Sequence, residues 1–318
     1  MTVQNLKNPS LVYGLGVRSP FATHEFASAQ PGECALLRWL DEHSLRSSLR
    51  FEEAILSRLG VREHTVEGSF DATATDALML TITEPSSIRL GLEGTRVGDL
   101  DVSVVVLDVR KDTALILESE PSGRSVHLIY ASVADDATLS FNDVFIGEHD
   151  SFRRASVVLH ESSRVYPNHA FFTYGRGTLD LKSDVTHIGR ESFSDMKVRG
   201  VLAGSSCAIV QGDVTIAPSA FDANGYQQED LILASPGAIA RPIPNLEIGN
   251  NEVKCSHGAT VSSVDPEAVF YLRSRGVPEG DAKSLLLSSF IKPILTLRSE
   301  EELESLSAKI RGVIDASR

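Results

Sequence analysis

The sequence contains little cysteine. Its 318 residues include only three cysteines, Cys34, Cys207 and Cys255, and these lie far apart in the chain. Sparse cysteines in a chain of this length do not indicate a disulfide framework. They are typical of a protein that works in a reducing cytoplasm.

The sequence is also short of basic charge and of long apolar runs. Its 30 Lys and Arg residues face 43 Asp and Glu residues, which gives a formal net charge of −13. An acidic surface repels nucleic-acid phosphates and anionic lipid headgroups, so we expect neither as a partner. The longest largely apolar run, VSVVVL, is too short to span a bilayer. The start, MTVQNLKNPS, lacks the basic and apolar segments of a secretory signal.

Short β-rich segments fill the region from about residue 67 to residue 263. Examples are DVSVVVLDV, VHLIYASV, ATLSFNDVFIG and CAIVQGDVTIAP. Most alternate apolar and polar residues between Gly, Pro, Asp, Asn or Ser, as strands do. No helical pattern separates them, so βαβ units are not expected. A sandwich, a barrel and a β-helix all remain open, and small residues that recur before apolar strands favour the β-helix.

Helical patterns flank this β-rich region. Residues 1–66 are predicted to be partly helical, because ECALLRWLDEH and FEEAILSRLG each place apolar residues on one helical face. Residues 264–318 are predicted to form a small helical domain. Asp265 is a candidate N-cap before a proline, and Ser299 and Glu302 have the spacing of a capping box.

A cysteine and a histidine lie two positions apart in the segment NEVKCSHGATVSS. On a strand, Cys255 and His257 would share one face with Cα atoms about 6.5 Å apart, close enough for both to bind one metal ion or cluster. Two ligands do not complete a zinc or iron–sulfur site, which usually has about four. A Cys–His nucleophile is disfavoured because the two side chains point in parallel and no third residue orients them. Ordinary packing of both residues is the plain alternative.

The segment from Glu252 to Phe290 resembles the C-terminal signature of the SufB/SufD family of the SUF iron–sulfur cluster assembly system. The matching pieces are KCSHGAT, then FYLRSRG after an acidic-Pro start, then a Leu-rich helix that ends in Phe. Upstream, KVRGVLAG, GDVTIAP and QQEDLILAS resemble the β-core of the family. The resemblance covers about residues 165–295, and elsewhere only the general texture of the sequence agrees.

The resemblance implies a right-handed parallel β-helix core over residues 67–263 and a C-terminal helical domain. It implies that this domain docks on an ABC-type ATPase, SufC, and that two SufB/SufD subunits pair through their cores. A transient iron–sulfur cluster would form at the pairing interface, with Cys255 and His257 as candidate ligands. Whether a flavin joins the complex is left open. The family's ATPase-contacting segment corresponds here to Phe270, Tyr271, Leu272, Arg275 and Gly276.

The resemblance favours a SufD-like scaffold subunit that is not itself an enzyme. SufB-type chains carry a cysteine before the strand that corresponds to LILAS, and here Gln227 to Asp230 stand in that region. The expected partner is a SufB-type subunit; the runner-up is a SufB-like chain that pairs with a second copy of itself. A β-helix carbohydrate enzyme is the rival from another class. That rival needs aromatic platforms, yet aromatic residues make up only 6% of the chain.

Overall fold

The computed structural model describes residues 35–43, 45, 59–74 and 77–316. These residues form mainly strands, with helices near both ends of the chain. In chain order the elements are α1 (Ala35–Glu42), β1 (Val61–Val66), β2 (Ser69–Ala74), β3 (Ala77–Ile82), β4 (Ser86–Leu92), β5 (Thr95–Val97), β6 (Leu100–Val109), β7 (Thr113–Ser119), β8 (Ser125–Val133), β9 (Thr138–Gly147), β10 (Ser151–Leu159), β11 (Arg164–Thr173), β12 (Thr178–His187), β13 (Phe193–Leu202), β14 (Cys207–Ile216), β15 (Asn224–Leu233), β16 (Ile239–Ile248), β17 (Lys254–Ser263), α2 (Pro266–Ser274), α3 (Glu279–Ile291) and α4 (Glu300–Ala316).

The strands form a parallel β-helix. The first sheet has the order β1-β3-β6-β8-β10-β12-β14-β16, with the short β5 antiparallel to β6. The second sheet has the order β2-β4-β7-β9-β11-β13-β15-β17. The chain passes from one sheet to the other and returns one position further along, so each turn adds one strand to each sheet. This confirms the β-helix and excludes the sandwich and the barrel for these strands.

The turns of the β-helix differ in length, and the first described turn is the shortest. Val61 lies opposite Ala77, which is 16 residues later. Cys207 lies opposite Ile239, which is 32 residues later. The number of residues per turn varies from 16 to 32, so the sequence has no fixed repeat length. Small residues therefore recur before strands only at irregular intervals.

Alternate residues of each strand point into the space between the two sheets. Leu139, Phe141, Val157 and Val185 belong to this interior cluster, and each is at most 2% exposed. Burial of one such side chain contributes about 1.5–3 kcal/mol relative to its exposure to water. The interior is shared by successive turns, so each turn stabilises the next.

The described N-terminal residues contribute helix α1 and the first strand. Helix α1 confirms the helix expected in ECALLRWLDEH, and its Leu40 is buried in a cluster with Val104 and Val106 of the first sheet. Most of FEEAILSRLG lies outside the described residues, as does Cys34. The first sheet begins with β1, at Val61, inside the range that the sequence analysis assigned to the N-terminal region.

The C-terminal helices begin as the sequence indicates. Asp265 is the N-cap of α2, and its Oδ1 accepts a hydrogen bond from the backbone N–H of Glu267 at 2.8 Å. Before α4, the N–H of Ser299 donates to Glu302 Oε2 at 2.7 Å, and the N–H of Glu302 donates to Ser299 Oγ at 3.3 Å. Both caps satisfy backbone donors that the first turn of a helix leaves free. The predicted N-cap and capping box are confirmed.

The C-terminal helices pack on the outer face of the second sheet. Leu287 and Ile291 of α3 and Leu306 of α4 are buried in one cluster with Phe172 of β11. The buried Asn142 of β9 joins the β-helix to the helices. Its Nδ2 donates a hydrogen bond to the carbonyl oxygen of Ile294, and its Oδ1 accepts one from the backbone N–H of Leu297, both in the connection between α3 and α4. The helical region is therefore fixed to the β-helix by an apolar contact and by hydrogen bonds.

Ion pairs reinforce this contact around the last helix. Arg298, 9% exposed, pairs with Glu118, and it donates to the carbonyl oxygen of Leu117 at 3.3 Å. Lys309 pairs with Glu120 at 2.8 Å. No helix among the described residues combines the length and the apolar character that crossing a bilayer requires.

Packing in the interior predicts that Gly200 cannot carry a side chain. It lies opposite Phe171 in the second sheet, and a methyl group on Gly200 would overlap the Phe171 ring. We expect Gly200→Ala to lower the free energy of unfolding by about 1–3 kcal/mol, the usual cost of overpacking a core. Gly91→Ala in β4 is the matched control, because only Thr73 Oγ1, at 3.8 Å, lies near its added methyl. Equal unfolding midpoints in urea for the two variants would contradict this packing.

Candidate site at the last turn of the β-helix

Cys255 and His257 lie on β17, the last strand of the second sheet. Among the described strands β17 pairs only with β15, where Cys255 lies opposite Gly225 and His257 opposite Gln227. Cys255 is partly buried and packs against the interior cluster, whereas His257 is exposed. Alternation places both side chains on the inner side of the strand. The pair therefore stands where the β-helix interior opens at its last turn.

The environment of Cys255 does not activate its thiol. Burial raises the pKa of Cys255, and a hydrogen bond with the backbone of Gly225 offsets this only in part. A reactive cysteine needs a lowered pKa, because the thiolate is the nucleophile. This is a further argument against the Cys–His nucleophile, which the sequence already disfavours. The residues described contain no group of three or more His, Cys, Asp or Glu side chains placed to hold a metal ion.

The predicted partner-binding residues lie in and after α2, which follows β17 directly. Phe270 is 71% exposed and Tyr271 is 56% exposed, whereas their neighbour Val269 is buried. The guanidinium of Arg275 lies 5.3 Å from the centre of the Tyr271 ring. Leu272 is partly buried, and Gly276 has a φ of +89° that lets it end the helix. Phe270 also lines a cavity of about 540 Å³ between α2 and the end of β15.

A network of buried polar side chains lies inside the β-helix, and the sequence analysis did not find it. His169 Nδ1 is 3.0 Å from Asp143 Oδ2, and His169 Nε2 is 3.0 Å from Ser183 Oγ. The order Ser–His–Asp is that of a nucleophilic triad. All three side chains are at most 3% exposed, so no substrate reaches Ser183 in this state. The network satisfies polar groups within the core.

The positive charge of Arg153 offsets the negative charge of Asp143 in this network. Burial by itself would raise the pKa of Asp143, but Arg153 and His169 bring that pKa well below its ordinary range. Next to them, His127 is held between Ser103 Oγ at 2.5 Å and Ser119 Oγ at 3.0 Å. Burial and the nearby Arg153 lower the pKa of His127 well below its ordinary value, so the ring is neutral. The sequence signal was a polar residue at an inward position of each strand that contributes to the network.

A second buried carboxyl group lies one strand away from the Cys–His pair. Glu229 is fully buried on β15, and Gln227, two residues before it, is 3% exposed. Burial raises the pKa of Glu229 to about 8, although backbone N–H groups of Ile243 and Gly212 act in the opposite direction. Unlike Asp143, this carboxyl group has no basic side chain beside it in the part of the chain described.

Comparison of the sequence with known proteins identifies the family to which the chain belongs. Residues 105–290 match the SufBD core domain of the SUF system for FeS cluster assembly. The chain belongs to the SufBD family. The match spans β-helix turns from β6 onward, the strand with Cys255 and His257, and helices α2 and α3. The SufB/SufD resemblance seen in the sequence is thereby confirmed.

Individual SufBD relatives agree with this assignment. The chain is 30% identical to an iron–sulfur cluster assembly SufBD family protein of Synechocystis, over 56% of this chain and 38% of the relative. It is 28% identical to the iron–sulfur cluster assembly protein SufD of Escherichia coli, over 56% and 43%. Identity to SufD of Bacillus subtilis is 30%, over 44% and 32%. The matches thus span less than half the length of these three relatives.

The buried Glu229 predicts how stability depends on pH. Its pKa rises from an ordinary value of 4.5 to about 8, so the folded protein binds the proton more tightly than the unfolded chain between these values. The contribution of Glu229 to the free energy of unfolding should therefore fall as pH rises from about 4.5 to about 8, whereas the buried neutral histidines His127 and His187 contribute in the opposite direction below about pH 6.5. Glu229→Gln should remove the contribution of Glu229 to this slope, because the amide does not titrate.

The measurement is urea unfolding of both proteins across that pH range, with chelator present. Asp230→Asn is the matched control, since Asp230 is the next residue on β15 and its side chain bonds to Gln228 and Thr260 on the outer side. This variant should keep the wild-type slope. A Glu229→Gln variant that also keeps it would show that Glu229 is ionised at neutral pH.

Proposed function

We propose that this SufBD protein is a SufD-like scaffold subunit of an iron–sulfur cluster assembly complex. The observation that carries the proposal is the position of Cys255 and His257 on β17, the terminal strand of the β-helix. One side chain is partly buried and the other exposed, so both are open to a second protein. The chain contributes ligands and a rigid support, and it performs no catalysis itself.

The last turn supports pairing with a second subunit. Ile239 and Ile248 of β16 and Val261 of β17 are each at least 45% exposed, which is unusual for large apolar side chains. β17 has no second neighbour among the described strands, and such an edge offers backbone donors and acceptors to another chain. The partner we propose is a SufB-type subunit, and a second copy of this chain is the alternative.

A shared interface fits the chemistry of the Cys–His pair. A thiolate and an imidazole are both ligands of iron, but two ligands do not fill the coordination of a cluster iron. A second subunit would supply the remaining ligands. The nascent cluster is the cargo of this site, and its thiolate ligand would form from the Cys255 thiol on metal binding.

The helical region is proposed to dock on a SufC-type ABC ATPase. Phe270 and Tyr271 form an exposed aromatic surface on α2, and aromatic residues are enriched in protein interfaces. Only two residues separate the start of helix α2 at Pro266 from the end of β17 at Ser263. A force on α2 would therefore act directly on the strand that holds Cys255 and His257.

The reducing cytoplasm suits such a complex, because the Cys255 thiol must stay free to bind the cluster.

The first test substitutes the proposed ligands. Cys255→Ser and His257→Ala should each strongly reduce the cluster yield of a complex reconstituted with its SufB-type and ATPase partners. Neither should lower the stability of the isolated chain by more than about 1 kcal/mol, because one keeps the side-chain volume and the other removes an exposed ring. Ser256→Ala, on the opposite side of the same strand, is the control. Normal cluster yield together with a lower unfolding temperature would mean that the pair is only packing.

The second test concerns the ATPase. Phe270→Ala and Tyr271→Ala should each weaken binding of the SufC-type ATPase by at least about tenfold, as expected for truncated aromatic anchors. Phe221→Ala, a partly exposed aromatic residue in the turn before β15, is the control. Isothermal titration calorimetry with the full chain measures the effect. Unchanged affinity in both variants would place the docking surface elsewhere.

A further inference from the structure

Glu229 and Gln227 place three acceptor oxygen atoms inside the last turns of the β-helix. Both carboxyl oxygens of Glu229 and the Oε1 atom of Gln227 are buried, and no described side chain donates a hydrogen bond to any of them. Glu229 Oε1 and Gln227 Oε1 lie 2.5 and 2.9 Å from the point where a Cβ atom of Gly212 would be. A side chain at Gly212 would collide with both oxygens, so its absence lets both oxygens approach the backbone of β14 at one place.

The orientation of Gln227 is fixed by its other end. Its Nε2 donates a hydrogen bond to the backbone carbonyl of Asn245 at 3.1 Å. A flipped amide would bring two carbonyl oxygens together there, so Oε1 faces Glu229. Other groups near Glu229 include the sulfur of Met196, 3.4 Å from the same point, and the backbone N–H groups of Ile243 and Gly212.

Asp143, the other carboxyl group at least 95% buried among the described residues, shows what Glu229 lacks. Asp143 is paired with Arg153 and with His169. The charged side chain that acts on the pKa of Glu229 is Asp213, and its negative charge raises that pKa further. A buried carboxylate without a counter-charge is strongly unfavourable, so this site needs either a proton or a cation.

The number of acceptors favours a cation over a proton. One proton can join two oxygens and leaves the third without a side-chain donor. A divalent cation can take both oxygens of a carboxylate and an amide oxygen together. We propose that Glu229 and Gln227 bind a small divalent cation of the oxygen-preferring class, such as Mg²⁺ or Mn²⁺, inside the last turns of the β-helix. The proposal does not depend on the roles assigned to Cys255 and His257.

A cation can reach this site from the open end of the β-helix. His257 lies opposite Gln227 on β17 and is exposed. Only the last turn therefore separates Gln227 and Glu229 from water. A cation bound there would link β15, through Glu229, to the space beside Gly212 on β14, and it would stiffen the support beneath β17.

The test uses Mn²⁺ and the purified full chain. Loss of the free-ion signal in electron paramagnetic resonance measures Mn²⁺ binding for the wild type, Glu229→Gln, Gln227→Met and Asp230→Asn. We expect Glu229→Gln to lose at least about tenfold in affinity, because it removes the charged ligand. Gln227→Met should weaken binding less, and Asp230→Asn should bind as the wild type does. Affinity should rise with pH up to about 8, since binding displaces the Glu229 proton.

An infrared measurement separates the proton from the cation. The difference spectrum of wild type minus Glu229→Gln should show a protonated carboxyl band at neutral pH that disappears when Mn²⁺ is added. A band that persists in saturating Mn²⁺ would mean that a proton alone fills the site, and the proposal would be wrong. Equal Mn²⁺ affinity in wild type and Glu229→Gln would overturn it as well. Either result leaves the cluster-yield test of Cys255 and His257 unaffected.

Discussion

Contact between the inner side chains of successive turns is the interaction on which the rest of the structure depends. No turn of the β-helix can bury its inward residues alone, because the space between its two strands stays open to water on both sides until neighbouring turns cover it. Leu139 and Val165 are both fully buried because turns lie on either side of them. The last turn lacks one of these neighbours, and the exposure of β16 and β17 follows from that single fact. The candidate site is located at the place where stacking ends.

The same constraint explains how polar residues are treated inside the β-helix. A closed interior excludes water, so every inward polar group needs a partner from a neighbouring strand. Asp143 finds such partners in Arg153 and His169, and His187 lies between Ser192 Oγ and Ser194 Oγ at 2.8 Å each. These networks fix which residue of each turn lies against which residue of the next. They therefore specify register in a fold whose apolar residues are largely interchangeable.

The sequence predicted what depends on local pattern. Strand alternation, the N-cap at Asp265 and the capping box at Ser299 are all set by residues within a few positions, and the structure confirms each. The pairing of His169 with Ser183 joins residues on different strands, and no spacing rule predicts it. The family signature around Cys255 located the candidate site, although alternation by itself gave only a shared face. That the face opens to solvent follows from β17 being the last strand, which is a property of the whole fold.

The unequal lengths of the turns have a consequence for assembly. A β-helix with identical turns could add a second copy to its end as one more turn, and repetition of that contact would build a filament. Here the first step along the first sheet is 16 residues and the last is 32. The first described turn is therefore shorter than the last, and stacking one on the other would leave inward residues of the longer turn uncovered. This difference in turn length thus favours closed assemblies over open polymers.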